Sequence, residues 1–365
     1  MKKIIYACLL LASNVVVSCE YSKEEITCDV SLTSHIVKID SADSYKFPRI
    51  LNNDILVSGK DEHYCSILKG YECSKSDTLF KFGNGHNEFQ HMAFGKGVDG
   101  SLLLLNSPMV GNKLISLTNI GKDSIEAMKD VNCWKKHNLL SLPAFRYATR
   151  TFVSLSDSTI LIPGAPFSAI GHILSIIDYK NQKVFPLEYW PEDGIECENL
   201  VKHAVYTDNC SLFSNSKGRF LYQCNSERFA FVFSIEGNKI SAIKELYSVH
   251  PDYQTDRSKR NYEYKAISTE ALECTANSNC IYALLRDSDR KGRKLDKWKN
   301  PYIYGNIVQV FDWNGNLVKT IRLDKFGQSV FVSDDNKILY LFTNDYFEED
   351  SKPEIWAYNL SELNI

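Results

Sequence analysis

Cationic and aromatic side chains are concentrated in two stretches, RDSDRKGRKLDKWKNPY (residues 286–302) and DRSKRNYEYK (residues 256–265). Arginine and lysine bind carboxylates and phosphates through charge-assisted hydrogen bonds, and an exposed aromatic ring stacks on sugars or anchors a protein partner. These stretches predict a surface for an acidic sugar, a phosphate or an anionic partner. The alternative is a solvated loop, because Asp287, Asp289 and Asp296 are interspersed among the basic residues. The candidate binding residues are Arg260, Tyr264, Arg290, Arg293, Lys297 and Trp298.

Acidic side chains in other predicted connections indicate a second chemistry. Glycosidases use two carboxylates that lie roughly 5 to 9.5 Å apart. A glycan lyase or hydrolase is therefore an alternative to a binding site, although the S-x-D-x-G-x-T-W repeats of sialidases are absent. The candidate acids are Glu88, Asp193, Glu196 and Glu348.

Histidines and cysteines do not show the spacing of a metal site. Seven of the eight histidines, including the candidate ligand residue His86, fall in or beside predicted connections, but without ligand spacing. The eleven cysteines include no CxxC pair, and buried thiols are the expected state. Cys65 with Cys73 and Cys274 with Cys280 have spacings that also fit a disulfide within one hairpin. No metal is predicted.

A literal G-x-G-x-x-G occurs at residues 95–100. A dinucleotide site requires a helix after the glycines, whose N-terminus binds the pyrophosphate. The residues that follow are Ser101 and four leucines, which predict a strand, and Asp99-Gly100 is a hairpin-turn signal. The sequence therefore predicts a turn here and no cofactor.

The first eighteen residues have the features of an export signal. Lys2 and Lys3 precede an apolar core, which is too short to span a bilayer. The segment Val16 to Cys19 resembles the lipobox of bacterial lipoproteins, which implies that Cys19 becomes the lipidated N-terminus and anchors the chain to a membrane. The predicted organisation is a signal peptide (1–18), a lipidated tether (19–33) and one domain (34–365). Residues 22–25 are either a solvated spacer or a signal for surface export.

Composition excludes one class of partner. The chain has 365 residues and a net charge of −3, which becomes more negative once Lys2 and Lys3 are removed. A general nucleic-acid binder is expected to be basic, so no nucleic-acid partner is predicted. Aromatic residues make up 12% of the chain, which favours a β-rich fold.

Short apolar strands recur in units of about 45 residues, which is a period typical of β-propellers. The clearest unit is CSLFSN, RFLYQC, RFAFVFSI and KISAIKELYSV, and in the second unit SIEAMKD (residues 124–130) stands as the fourth strand. The sixth unit has only three strands, and one spare strand, SHIVKID (residues 34–40), precedes the first unit. We therefore predict an all-β, six-bladed propeller with four-stranded blades, whose ring is closed by the N-terminal strand in the last blade.

This pattern resembles the TolB-like six-bladed β-propeller lipoproteins of Bacteroidetes over essentially the whole mature chain. The segment FGNGHNEF (residues 82–89) is similar to their G-x-G-P-G-E-F turn before the second blade, although His86 and Asn87 replace proline and glycine. The resemblance implies a location in the bacterial cell envelope, at the outer membrane, on its periplasmic or its surface side. It implies little about activity.

The predicted loops favour one face for binding. In each unit, the turns that join the first strand to the second and the third to the fourth are mostly tight. The connections from the second strand to the third, and from one unit to the next, are long, and in a propeller they emerge on the same face. Our leading hypothesis is a lipid-anchored module that binds a glycan, a peptide or an envelope protein through this long-loop face, where His86 and Glu88 also lie. The glycan-active enzyme is the alternative. For Trp134 and Trp190 we favour a role in covering the core.

Overall fold

The computed structural model describes part of the chain, and the statements below refer to that part. The described residues are 26–37, 46–51, 54–58, 63–69, 74–81, 83, 85, 87–89, 91–107, 114–121, 125–146, 151–207, 210–224, 228–256, 258–259, 261–264, 270–287, 304–343, 354–363 and 365.

The described elements are almost all strands, arranged in groups of four antiparallel strands. The first group follows two short N-terminal strands, β1 (Val30–Leu32) and β2 (His35–Val37). It forms one sheet in the order of the chain. Its strands are β3 (Lys46–Leu51), β4 (Asp54–Ser58), β5 (His63–Lys69) and β6 (Ser74–Lys81).

The second and third groups form one eight-stranded sheet, because their first strands, β7 and β12, pair in parallel. The second group consists of β7 (His91–Lys96), β8 (Leu102–Ser107), β9 (Ser116–Asn119) and β10 (Lys135–Asn138). The short strand β11 (Phe145–Arg146) follows it and pairs with β14 (Ala165–Pro166). The third group consists of β12 (Thr151–Ser154), β13 (Thr159–Pro163), β15 (Leu174–Asp178) and β16 (Lys183–Pro186).

The fourth and fifth groups are separate sheets. The fourth consists of β17 (Cys210–Ser214), β18 (Phe220–Cys224), β19 (Phe229–Glu236) and β20 (Lys239–Ser248), and a small hairpin of β21 (Tyr253–Thr255) and β22 (Tyr262–Tyr264) follows it. The fifth consists of β23 (Glu270–Ala276), β24 (Ile281–Asp287), β25 (Tyr304–Phe311) and β26 (Leu317–Gly327). Strand β1, which the sequence placed in the tether, pairs in parallel with β26 as an outer fifth strand.

The last sheet takes one strand from the start of the chain. It contains β27 (Ser329–Val332), β28 (Ile338–Thr343) and β29 (Glu354–Asn359), and β2 pairs antiparallel with β29. Val37 lies opposite Ile355 and is buried, whereas its neighbour Ile36 is exposed. The pairing of the spare N-terminal strand with the last three-stranded unit was predicted from the sequence, and the structure shows it.

The core lies between neighbouring groups. One cluster joins strands β12 and β13 to β17, β18 and β19, and another joins β24 and β25 to β27 and β28. Strand segments that are covered on both faces of their sheet have every side chain buried, as at residues 102–105 and 229–233. This burial accounts for their uninterrupted apolar sequences, where a strand exposed on one face would alternate.

Two helices differ from the predictions. The described part of the predicted strand 124–130, residues 125–130, is not a strand. The helix α1 (Ile125–Lys129) and a 3₁₀ turn (Val131–Cys133) occupy this connection, and the fourth strand is β10. Glutamate, alanine, methionine and lysine have high helix propensity, and the buried side chain of Met128 fixes the helix to the sheet. The helix α2 (Asn199–Thr207) lies between the third and fourth groups, where only a loop was expected.

The predicted turn at residues 95–100 is confirmed. Gly97 donates its N–H to the Ser101 carbonyl, Gly100 has a φ of +83°, and strand β8 follows directly. Cys274 lies opposite Ala283 and not opposite Cys280, and both cysteines are thiols, so the hairpin disulfide between them is not formed. Cys73 lies outside the described residues. Neither of the described helices has the length and apolar character needed to cross a membrane.

Candidate functional site

An open cleft of about 460 Å³ lies between the turn that follows β6 and the segment that contains α1. We refer to it as the Trp134 cleft. It brings together two segments that are some forty residues apart in the chain. The side chains that give it its chemical character are Phe80, Lys81, Asn87, Glu88, Lys129 and Trp134.

The turn on one side of the cleft is ordered by Glu88. Its Oε2 atom accepts a hydrogen bond from the Gly85 N–H at 2.7 Å, and the Glu88 N–H donates to the Gly85 carbonyl at 3.0 Å. A Cβ atom on Gly83 would lie 2.1 Å from Glu88 Oε2, so glycine is needed for the carboxylate to occupy this position. Glu88 therefore has a structural role in the turn as well as a place in the cleft wall.

An aromatic cluster lies at the floor of the cleft, and two of its three rings, Phe80 and Trp134, line it. The ring centroids of Phe80, Phe89 and Trp134 lie 5.7 to 5.9 Å apart. Trp134 Nε1 donates to the Ala127 carbonyl of α1 at 3.0 Å, which fixes the orientation of the indole. Phe80 and Phe89 are buried, whereas Trp134 is half-buried. Trp134 thus covers the core, as the sequence suggested, and also presents part of its ring to the cleft.

Charged and amide groups surround this aromatic floor. Lys81 Nζ lies 3.4 Å from Glu88 Oε1, and Lys136 Nζ donates to Asn87 Oδ1 at 2.6 Å. Lys136 Nζ also lies 5.7 Å from the centroid of Trp134, and burial lowers the pKa of this lysine. An aromatic face beside several donors and one carboxylate acceptor suits a ligand that both stacks and forms hydrogen bonds.

A second group of polar side chains is buried beneath the connections around α2, and we name it the Asp193 cluster. Lys202 Nζ lies 2.6 Å from Asp193 Oδ1, and Tyr253 donates to Asp193 Oδ2 at 2.9 Å. Tyr206 Oη lies 3.2 Å from Asp193 Oδ2 and 2.7 Å from His250 Nδ1. The cluster therefore joins the connection before the fourth group to the connection after it.

The surroundings of Asp193 determine its ionisation. Burial by itself would raise the pKa of Asp193, but hydrogen bonds from Lys202, from the Ile195 N–H and from Tyr253 outweigh burial and lower it. These three donors, together with the Tyr206 hydroxyl, fill the acceptor positions of the carboxylate from within the protein. Burial lowers the pKa of His250, and Asp193 and Glu245 partly oppose this effect. The cluster is thus a closed polar network that fixes two long connections.

The candidate residues from the sequence have different outcomes. Glu88 lies in the Trp134 cleft. The backbone of Tyr264 belongs to strand β22, where it pairs with Tyr253 of the Asp193 cluster. The remaining candidates lie outside the described residues and stay predictions: Cys19, His86, Arg260, Arg290, Arg293, Lys297 and Trp298.

The structure also places most of the other residues considered. Glu196 forms an ion pair with Lys259, and Glu348 lies outside the described residues. His137 packs against Tyr179, and His203 is buried within α2. Over the described ranges, no three His, Cys, Asp or Glu side chains are grouped so that they could hold a metal ion.

Two residues important for the sites were missed in the sequence. Lys136 follows the second predicted unit and was not among the candidate residues, and Lys202 was not among them because α2 was not predicted. The run Glu126-Ala127-Met128-Lys129 was the signal available for α1, since all four residues favour a helix. The contacts of Lys202 with Asp193 depend on chain folding and have no local signal.

No protein-family model matches the chain, and no curated protein matches it. Solved structures do match. An exported protein from Bacteroides fragilis has a TM-score of 0.55 at 9% identity, covering 90% of this chain and 99% of the other. A member of the DUF4221 family from Bacteroides vulgatus has a TM-score of 0.53 at 12% identity, covering 92% and 97%.

A third similar structure is the β-propeller domain of Cps50 (Swd1) from Myceliophteria thermophila, with a TM-score of 0.43 at 11% identity, covering 88% and 99%. The structural neighbours are β-propeller proteins. At these identities the similarity of the two Bacteroides structures concerns the fold alone, and it agrees with the all-β architecture described above.

Proposed function

We propose that this protein is an exported, lipid-anchored, six-bladed β-propeller that binds a glycan in the Trp134 cleft. The observation that carries the proposal is the cleft itself, in which a partly exposed indole lies beside lysine, amide and carboxylate groups. Sugars present an apolar ring face and a rim of hydroxyl groups, and this combination of side chains complements both.

The six-bladed ring is supported by contacts among the first strands of the groups. Strand β7 contacts β12, β12 contacts β17, β17 contacts β23, and β23 contacts β27. Strand β27 in turn contacts β3, which begins the first group. A series of contacts that runs through the first strands of the second to the last group and reaches that of the first group is the arrangement expected of a propeller, in which sheet edges are protected.

Export and anchoring are supported by the sequence of the leader and by the exported Bacteroides protein among the structural neighbours. We propose lipidation at Cys19, placement at the outer membrane, and membership of the TolB-like propeller lipoproteins. The closed Asp193 cluster and the internal hydrogen bonds of Glu88 give no support to an enzyme at these carboxylates, so binding is preferred to glycan cleavage.

The test is thermal unfolding of residues 20–365 in the presence of neutral and acidic oligosaccharides. A ligand present at 100 times its dissociation constant adds about 2.7 kcal/mol to stability, which gives a clear rise in the midpoint. Val131→Asp at the rim of the cleft is expected to abolish the rise. Leu140→Asp is the matched control, because Leu140 is a similarly exposed apolar residue outside the cleft.

If no oligosaccharide shifts the midpoint, or if both variants respond as the natural protein does, the cleft is not a glycan site. Analysis of the incubated oligosaccharides for shorter products separates binding from cleavage. Release of the protein from membranes by a Cys19→Ala substitution tests the anchor independently of the ligand.

A further inference from the structure

Cys210 and Cys224 lie opposite each other at the open end of the hairpin that β17 and β18 form. Cross-strand partners project from the same face of a sheet. The two sulfurs also have neighbouring acceptors, since Cys210 Sγ lies 3.1 Å from the Thr207 carbonyl oxygen and Cys224 Sγ lies 3.8 Å from that of Val205. Both carbonyls belong to the last turn of α2, so both thiols point toward the same turn of helix.

The hydrogen-bond pattern shows how close the two cysteines are. The Asn215 N–H donates to the Arg219 carbonyl, so this pair is of the hydrogen-bonded type. Pair types alternate along an antiparallel ladder, and Cys210–Cys224 is five steps away, which makes it a non-hydrogen-bonded pair. Leu212 lies two residues from Cys210 and therefore has the same pair type. Its N–H donates to Thr151 Oγ1 and not to β18, as expected of a non-hydrogen-bonded pair.

Pairs of this type have Cα atoms about 4.5 Å apart, and their side chains are closer together than those of a hydrogen-bonded pair. A disulfide requires a Cα separation of about 4.4 to 6.8 Å. We propose that Cys210 and Cys224 are a disulfide-forming pair, oxidised during folding in the compartment to which the chain is exported. The structure holds both cysteines in the thiol form and fully buried, so the bond would have to form before this hairpin packs against α2.

The oxidant is a thiol oxidoreductase in its disulfide form. One cysteine thiolate attacks that disulfide and forms a mixed disulfide, and the second cysteine thiolate then displaces the oxidoreductase sulfur. The S–S bond of the protein forms, the S–S bond of the oxidoreductase is broken, and the oxidoreductase leaves as a dithiol with the two electrons. The two protons of the cysteine thiols end, by way of solvent, on the two thiols of the reduced oxidoreductase.

The bond would join β17 to β18 directly beneath α2, the helix that supplies Lys202 and Tyr206 to the Asp193 cluster. Closing a short loop with a disulfide lowers the entropy of the unfolded chain. Oxidation is therefore expected to stabilise the hairpin and, through it, the position of α2 under the long connections.

The first experiment expresses the full chain with its own leader and quenches the cells with N-ethylmaleimide without a reductant. Peptide mass spectrometry is expected to show residues 210 and 224 joined and unlabelled. Cys133 is the internal control, because it is an exposed free thiol and must carry the label. Labelling of both Cys210 and Cys224 after denaturation in the natural protein would overturn the proposal for the exported chain.

A second experiment separates this proposal from export, on which its cellular part relies. The purified chain is refolded from denaturant with oxidised and reduced glutathione, and the linked peptide is sought again. We expect the link here and a thermal midpoint about 3 °C above that of the reduced protein. Cys224→Ala should lose the difference, whereas Cys274→Ala should keep it.

A link found in refolding but not in cells supports the pairing and counts against export. A refolded protein that is native by circular dichroism yet has no 210–224 link overturns the pairing itself. Neither readout requires ligand binding, so a failure of the glycan proposal would leave both results unchanged.

Discussion

Lys202 Nζ lies 2.6 Å from Asp193 Oδ1, and only 10% and 1% of the two side chains are exposed. A charge taken out of water is costly unless it is compensated, so each of these groups depends on the other. Tyr253 and the Ile195 N–H complete the coordination of the carboxylate. The ion pair lies within the connection before the fourth group, and the hydrogen bond from Tyr253 joins it to the connection that follows that group.

We expect Asp193→Asn to lower the free energy of unfolding by about 3 to 5 kcal/mol, because Lys202 is left as a buried charge without its counter-ion. Equilibrium unfolding in urea measures the change. The double substitution Asp193→Asn with Lys202→Met should recover part of the loss. Glu196→Gln is the control, since this exposed partner of Lys259 should have no measurable effect. An Asp193→Asn protein as stable as the natural one would contradict a structural role for the pair.

The stability of the fold should fall as the pH drops from about 7 through 6.5 toward the lowered pKa of His250. Burial lowers the pKa of His250 in the folded state, so the unfolded chain binds a proton more readily in this window. The contribution of His250 is therefore fully present above its unfolded pKa and is lost on acidification. Asp193, Glu245 and Lys202 are the charged groups that act on this imidazole.

Denaturation followed at several pH values between 5 and 8 tests this dependence. His250→Gln should reduce the slope of stability against pH, although not to zero, because burial also lowers the pKa of His137. An unchanged slope in His250→Gln would show that the imidazole does not contribute.

Strand β2 allows a test of ring closure with two adjacent residues. Val37 is 5% exposed and packs with Phe331 and Ile355, whereas Ile36 is 47% exposed on the other side of the strand. Val37→Asp should destabilise the protein by about 3 kcal/mol or more, because it buries a carboxylate without a partner. Ile36→Asp should change stability by less than about 0.5 kcal/mol. Equal effects in calorimetry would mean that β2 does not pack as described.

The turn beside the Trp134 cleft should be sensitive to a single methyl group. In Gly83→Ala the new Cβ would meet Glu88 Oε2, so the carboxylate must move and release the Gly85 N–H. We expect a loss of about 1 to 2 kcal/mol, measured by thermal unfolding. Gly171→Ala is the control, because its Cβ would find only an ordinary contact with Asn199 at 3.4 Å. A stable Gly83→Ala protein would show that this hydrogen bond has little importance.

Much of the strand pattern could be predicted, because its causes are local. Residues 102–105 and 229–233 are buried on both sides and therefore read as uninterrupted apolar strands. Asp99-Gly100 marked its turn because glycine tolerates the positive φ observed there. The incomplete last unit and the spare strand at residues 34–40 indicated their pairing because an unpaired edge strand is unfavourable.

The sites were less predictable, because they depend on packing between distant segments. Five residues of α1 are too few for a helical period, so their sequence was read as a strand. Nothing near Trp134 in the chain indicates that Phe80 and Phe89 will lie against it. Asp193 was identified as an acid in a long connection, but its partner Lys202 could be recognised only once α2 was in place.

The parallel pairing of β1 with β26 has a mechanical consequence for a chain held at a membrane through Cys19. Tension from the anchor would act along the axis of β1, so its backbone bonds and the bonds between Asp29 and Thr320 would be loaded in shear. Strand β2 follows β1 in the chain and would take up no load until β1 had detached from β26. In a chain anchored in this way, detachment of the outer strand would absorb membrane forces before they reached the strand that completes the last sheet.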